Sequence, residues 1–332
     1  MACITVLGAG GWGTALAVTA DRYGHSVSLW SPFEKEIQDI RRHGQHKRLL
    51  PGIAVPPSIT LTTDVSCVAD ADLTVMAVPS FAIASTAALI RPFLNEGALI
   101  ANAGKGLEEG TYRRFTEVIE TAVPGSRVVA LSGPSHAEEV GRGIPTLVVS
   151  ASRDGEAAKT VQEILMNPTL RIYTGEDVIG VELGGALKNV VALAAGICDG
   201  LDMGDNTRAA LMTRGLAEIA RLGVRLGAKA STFAGLSGIG DLIVTCSSMH
   251  SRNRRAGILI GQGVPPAEAV QTVGTVEGYF VAQTAYELAQ KVGVEMPLLE
   301  ACYRICYENY PPTSAVRSLM ERPGRAEEDH WL

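Results

Sequence analysis

The stretch VELGGALKNVVALAAG, residues 181–196, has the periodicity of a buried helix and yet carries a lysine, Lys188, near its middle. An ammonium group kept from water loses its proton or finds an anion, so Lys188 is a candidate for proton chemistry. The alternative is a side chain at the edge of a helix–helix contact whose amine reaches out to solvent. Gly184, Gly185 and Ala186 sit within one turn before it. Glycine inside a helix costs about 1 kcal/mol relative to alanine, so the pair implies that another helix or a ligand approaches closely.

A second group of residues suits a dinucleotide. GAGGWGTALA follows the first strand-like run, and its Gly8, Gly10 and Gly13 form G-x-G-x-x-G. Gly8 lets the chain turn tightly, Gly10 lets backbone approach a pyrophosphate, and Gly13 lets the next helix pack on the sheet. The pyrophosphate would sit at that helix's N-terminus. The second strand ends in SLWSPF, with no Asp or Glu where a ribose 2′-hydroxyl is usually held. Glu34 comes slightly late, and Arg41, Arg42 and Arg48 either reach a 2′-phosphate or are solvated. This favours NADP, or use of both cofactors, over NAD alone.

Other polar residues follow later strands. ANAGKGL places Lys105 after one, and SGPSHAEE places Gly133, Ser135 and His136 after another. Ligands of doubly wound sheets bind outside the carboxyl ends of the strands, so Lys105, Gly133 and Ser135 are expected to face the crevice of the glycine turn. Lys105 then neutralises substrate charge, or is an exposed loop lysine. His136 reads as a helix-start packing residue rather than a catalytic one. Further on, GDLIVTCSSMHSRNRR sets Asp241 before an apolar run and brings Ser251, Arg252 and Asn253 together. A hydroxyl, a guanidinium fork and an amide grip a phosphate or polyol, although SRNRR is also the composition of a basic surface turn.

These residues need elements to hold them. Up to about residue 176, the runs ITVLG, SVSLW, LTVMAVP, ALIANAG, RVVALSG and TLVVSAS alternate with helical stretches. They are continuously apolar, which predicts a Rossmann-type, doubly wound parallel sheet in an α/β domain covering residues 1–176. From 178 onward the strand signal stops and helical periodicity dominates, predicting an all-helical domain over residues 177–332. The Gly- and Ser-rich stretch at 232–257 is expected to be a partly buried loop, and ERPGRAEEDHWL, residues 321–332, a frayed tail.

Composition narrows the partners. The 332 residues carry a net charge of −6, which disfavours a nucleic-acid binder while leaving room for a basic pocket for a small anion. Six cysteines are scattered without CxxC pairs, and the chain opens on a strand pattern with no signal peptide, so a reduced cytoplasmic setting is expected. Cys302 and Cys306 lie one helical turn apart with no histidine pair nearby, and no metal site is expected. No run approaches ~20 uninterrupted apolar residues, so no membrane span is expected. Apolar helices in the second half make a homodimer plausible on base rates.

Taken together, GAGGWGTALA, ANAGKGLE, LSGPSHAEE, VELGGALKNVVALAAGICDGL, GLSGIGDLIVTCSSMHSRNRRAG, TVEGYFVAQTAYELA and VEMPLLEACY resemble the bacterial-type NAD(P)-dependent glycerol-3-phosphate dehydrogenases. The resemblance runs from residue 4 to about 310. It implies reversible interconversion of dihydroxyacetone phosphate and sn-glycerol 3-phosphate, supplying the backbone of phospholipids. By it Lys188 is the catalytic acid and base, and Lys105, Gly133, Ser135, Asp241, Ser251, Arg252 and Asn253 surround the substrate. Gly11, Trp12, Lys105, Ala137, Arg252, Val276 and Glu277 would touch the cofactor. The chain departs from the pattern at Gly11, where a polar residue is common, at Pro32 and Phe33, which replace an Arg or His, and at Leu49, where an aromatic is typical.

Catalysis in both directions needs the Lys188 pKa drawn from ~10.4 towards neutrality. Burial and Lys105 act that way and Asp241 against. Two other functions compete: a two-domain dehydrogenase of β-hydroxyacids, against which SRNRR speaks, and a non-catalytic nucleotide sensor, which has little use for Lys188.

Overall fold

The computed structural model describes residues 1–324, 326 and 327, so the stretch expected to fray lies partly outside the described residues. The chain divides into two compact units. The first comprises Met1–Gly104 and Phe115–Val178, and the second Lys105–Arg114 and Ile179–Leu332. A single boundary at 176/177 therefore misplaces Lys105–Arg114, an excursion that leaves the first unit and packs with the second.

The first unit is built on eight strands: β1 (Cys3–Leu7), β2 (Ser26–Trp30), β3 (Thr60–Thr62), β4 (Leu73–Met76), β5 (Leu99–Asn102), β6 (Arg127–Ser132), β7 (Thr146–Ala151) and β8 (Leu170–Gly175). Their spatial order is β3-β2-β1-β4-β5-β6-β7-β8, the doubly wound arrangement with its switch point between β1 and β4. Alternate residues feed two cores. Ile4, Val6, Leu73, Val75, Ala101, Val129 and Leu131 enter one. Leu7, Met76, Ile100 and Val128 enter the other. Burial of both faces is why these strands read as continuous apolar runs.

Two features differ from the expectation of a wholly parallel sheet of six runs. β6 and β7 pair antiparallel, whereas all other neighbours are parallel. β3 has only three residues, and β8 is an edge strand with exposed Arg171 and Tyr173, so neither presents an unbroken apolar run.

Among the described residues, every strand belongs to the first unit, and the second is helical apart from an isolated bridge between Leu107 and Arg114. Its centre is the helix Val178–Gly200, whose 23 residues are long and apolar enough to cross a membrane, but 94% of its apolar 18-residue stretch is buried within the protein. An all-round apolar helix is here a core helix. Leu183, Leu187, Val190 and Val191 enter one cluster, and Leu193 and Ile197 another. The stretch 232–257 is less loop-like than its composition suggests: it holds the short helices Asp241–Ser247 and the start of Arg252–Gly261, separated by a few residues.

Candidate functional site

In the second unit Lys188 is 6% exposed, on the central helix. Its Nζ donates to Asp241 Oδ1 and, at 2.6 Å, to Thr245 Oγ1. The Thr245 hydroxyl in turn donates to the Asp241 carbonyl oxygen at 2.6 Å, so towards Lys188 it acts as acceptor. Asp241 is itself buried, and its second oxygen, Oδ2, accepts from Lys105 Nζ at 2.7 Å. Asp241 and Thr245 lie one turn apart on the same helix, which puts both on the face towards Lys188. Thr245 was not singled out from sequence, although its i+4 spacing from Asp241 is the signal that could have found it.

Lys105 reaches Asp241 because the excursion carrying it is pinned down. Its far end, Arg114, pairs with Glu182 of the central helix at 2.9 Å, both side chains buried. Leu107 enters the helical core, and Tyr112 donates to Glu287 Oε2 at 3.1 Å. Lys105 is therefore not a free loop lysine; its side chain is 18% exposed and ion-paired.

Three charges share this site, and burial decides the outcome. Loss of water lowers the Lys188 pKa from 10.5 to about 8, overcoming the Asp241 charge that raises it and assisted by the Lys105 charge. For Asp241, burial works upward, but the two ammonium groups outweigh it and hold the carboxyl below the usual range. At neutral pH the site holds an aspartate and a lysine close to its titration point.

The close approach implied by the glycines is made by backbone. A Cβ on Gly184 would lie 2.4 Å from the Ser237 carbonyl oxygen. Further along, Gly196 and Gly200 face Gly257 and Gly261 of the helix Arg252–Gly261, with Cα atoms 2.9 Å from the would-be Cβ positions. This contact seats the SRN segment. Ser251 caps that helix, its Oγ accepting from Arg254 N at 3.2 Å. Asn253 donates from Nδ2 to Asn189 Oδ1 at 2.9 Å and accepts at Oδ1 from Gly278 N at 2.8 Å. Since Asn189 follows Lys188, Asn253 gathers Lys188, Arg252 and the Val276–Glu277 junction into one region. Arg252 is exposed and opens its helix. The Val276 side chain is fully buried in an apolar cluster, so this residue presents only backbone.

In the first unit the glycine turn has the properties a pyrophosphate requires. Gly8 has φ +108, a Cβ on Gly13 would lie 2.0 Å from the Gly8 carbonyl oxygen, and nothing lies within 4 Å of a Cβ at Gly10. The helix Gly11–Arg22 begins there with no side-chain cap, leaving its first N–H groups for an anion. The departure at Gly11 has a backbone cause: a Cβ at 11 would lie 2.6 Å from the carbonyl oxygen of residue 49, whereas nothing in the structure explains leucine at 49. Trp12 and Ala137 pack against the first core.

Gly133 (φ +144) and Ser135, whose Oγ donates to the Gly133 carbonyl at 2.8 Å, follow β6 at the same strand-end edge as the turn after β1. His136 precedes the helix Ala137–Arg142, its carbonyl accepting from Glu139 and Val140 N–H. Among the described residues no group of His, Cys, Asp and Glu could hold a metal ion.

A doubly wound sheet with an uncapped glycine turn, followed by helices that bury a lysine tuned towards neutral pH, is the construction of a nicotinamide-dependent dehydrogenase. Residues 3–158 match the N-terminal domain, and residues 177–317 the C-terminal domain, of NAD-dependent glycerol-3-phosphate dehydrogenase. The glycerol-3-phosphate dehydrogenase [NAD(P)+] of Moorella thermoacetica is 54% identical, over 96% of each chain. That of Desulfitobacterium hafniense is 48% identical over 97% of this chain and 92% of its own. The crystal structure of glycerol-3-phosphate dehydrogenase from Coxiella burnetii superposes with a TM-score of 0.93 at 39% identity, covering 97% of this chain and 99% of that one. The chain belongs to the NAD-dependent glycerol-3-phosphate dehydrogenase family.

Proposed function

We propose that the protein interconverts dihydroxyacetone phosphate and sn-glycerol 3-phosphate with NAD(P)H or NAD(P)+, providing glycerol 3-phosphate for phospholipid synthesis. The observation that carries this reading is the buried Lys188–Asp241–Lys105 cluster, with Lys188 brought down to about 8. The bound nicotinamide supplies hydride to C2 of the ketone, or takes it from the alcohol; the chain's own residues handle the proton and the phosphate.

An ammonium has three N–H bonds, and Asp241 and Thr245 take two of them. The third direction is an N–H in the acid form and a lone pair in the base form. Lys188 can therefore protonate the C2 oxygen during reduction and deprotonate the C2 hydroxyl during oxidation without changing its other two bonds. Asp241 orients the amine, and Lys105 adds positive charge towards the substrate. Arg252, Ser251 and Asn253 form the phosphate grip, with Gly133 and Ser135 as further substrate contacts. The pyrophosphate is held by Gly8, Gly10, Gly11 and Gly13 at the helix start; Trp12, Lys105, Ala137, Arg252, Val276 and Glu277 complete the cofactor contacts. A cytoplasmic setting, supported by six free cysteines, and a homodimer, resting on the base rate for such enzymes alone, complete the reading.

Lys188→Ala is the direct test. Loss of turnover by at least about a thousandfold with NADH binding retained is expected; turnover within tenfold of wild type would remove Lys188 from the chemistry. Arg252→Ala should raise KM for glycerol 3-phosphate strongly, and an unchanged KM would remove it from the phosphate grip.

A further inference from the structure

A carboxylate does reach the end of β2, from Glu36, six residues beyond Trp30. Gly8 N donates to the carbonyl of Trp30, the last residue of β2, at 2.9 Å, so Ser31 stands beside the glycine turn. Ser31 Oγ donates to Glu36 Oε2 at 2.6 Å, and Glu36 Oε1 lies 3.2 Å from His46 Nε2. Glu36 belongs to the first turn of the helix Glu34–His43, and its carboxylate is folded back to the strand end. The hydrogen bond from His46 is the main influence holding Glu36 below the usual carboxylate range; it outweighs burial, with Ser31 and the Arg48 charge assisting. The side chain remains 21% exposed, and each oxygen keeps a lone pair beyond its present partner. Arg48 is exposed, whereas Arg41 donates to the Leu61 carbonyl at 3.0 Å.

Building on the nicotinamide-cofactor reading above, we propose that Glu36 is the specificity-determining residue at the adenosine 2′ position. It accepts a hydrogen bond from the 2′-hydroxyl of NADH and disfavours the 2′-phosphate of NADPH, while Arg48 is the cation that lets the phosphorylated cofactor bind. In a doubly wound sheet the carboxyl end of β2 is where the 2′ substituent is read. A carboxylate there meets either a neutral donor or a phosphate of nearly two negative charges, and only the second is repelled. The absence of a strand-end acid in the sequence is thus compensated by a side chain one helical turn later, kept in place by Ser31 and His46.

Equilibrium titration of the full chain with NADH and with NADPH, followed by nicotinamide fluorescence, tests this without turnover. Glu36→Gln keeps shape and removes charge; it should lower the ratio of NADPH to NADH dissociation constants by about fivefold or more, mainly by tightening NADPH. Arg48→Ala, at an exposed position that leaves folding undisturbed, should raise that ratio by a similar factor with NADH little changed. If both cofactors bind and Glu36→Gln leaves the ratio within twofold of wild type, the assignment of Glu36 is overturned; an unchanged ratio in Arg48→Ala overturns that of Arg48. Failure of wild type to bind either cofactor would instead overturn the nicotinamide reading itself.

Discussion

Lys188 keeps the same two hydrogen bonds whether or not it is protonated, so its titration is read directly in the reaction. With its pKa at about 8, kcat/KM for ketone reduction should fall above pH 8, where the donor proton is lost, and kcat/KM for alcohol oxidation should rise up to pH 8 and then level. The two charged neighbours make the sign testable. Asp241→Asn removes the anion that raises the pKa and should move the inflection below 8; Lys105→Met removes a like charge and should move it above 8. Shifts in the same direction would contradict the charge arrangement. At this scale the sequence was partly legible. A lysine in an apolar helix is an anomaly visible in a single line of residues, and G-x-G-x-x-G carries its mechanics in its spacing. The balance among burial, Asp241 and Lys105 was not legible, because it depends on distances between residues 105, 188 and 241. Nor was the place of Glu36, whose side chain runs back against the chain direction.

At the scale of elements, the site rests on two devices. One is the pairing of the central helix with Arg252–Gly261 through four glycines, two on each. Gly196→Ala would put a methyl group 2.1 Å from the Arg254 carbonyl oxygen, and the helices must separate to admit it. Overpacking of a contact between backbones should cost about 3 kcal/mol, measured by denaturant unfolding, and should raise KM because the SRN segment moves with its helix. Wild-type stability and KM in this variant would mean that the contact does not position the grip.

The other device is the Lys105–Arg114 excursion, tied by Arg114 to Glu182. Arg114→Met removes the guanidinium that pairs with the buried Glu182 carboxylate and should destabilise the protein by about 3 kcal/mol, whereas Arg114→Met with Glu182→Met should recover much of that loss. The excursion was invisible in sequence for a physical reason: a ten-residue loop after a strand has no periodicity that states which core will take its leucine.

For the molecule as a whole, the apolar pattern sufficed to read a doubly wound sheet followed by a helical half, because both kinds of core impose a period on the chain. The antiparallel turn at β7 escaped that reading, since strand direction leaves no mark on periodicity. So did the means by which the helical half closes. Glu218, 5% exposed on the helix Gly204–Arg225, accepts from Leu298 N at 2.9 Å and from Leu299 N at 3.2 Å, capping the helix Pro297–Tyr307 across the fold. Burial raises its pKa from 4.5 to about 7, against the lowering effect of those two N–H groups. The folded state therefore binds a proton that the unfolded chain releases near 4.5, so this contribution to stability is full below 4.5 and is lost as pH climbs through 7. Glu218→Gln preserves an acceptor but cannot ionise. Denaturant unfolding of both proteins from pH 5 to 8 should show the variant gaining on wild type by about 3 kcal/mol as pH rises. Parallel curves would mean that Glu218 is ionised throughout and that the cap is an ordinary carboxylate one.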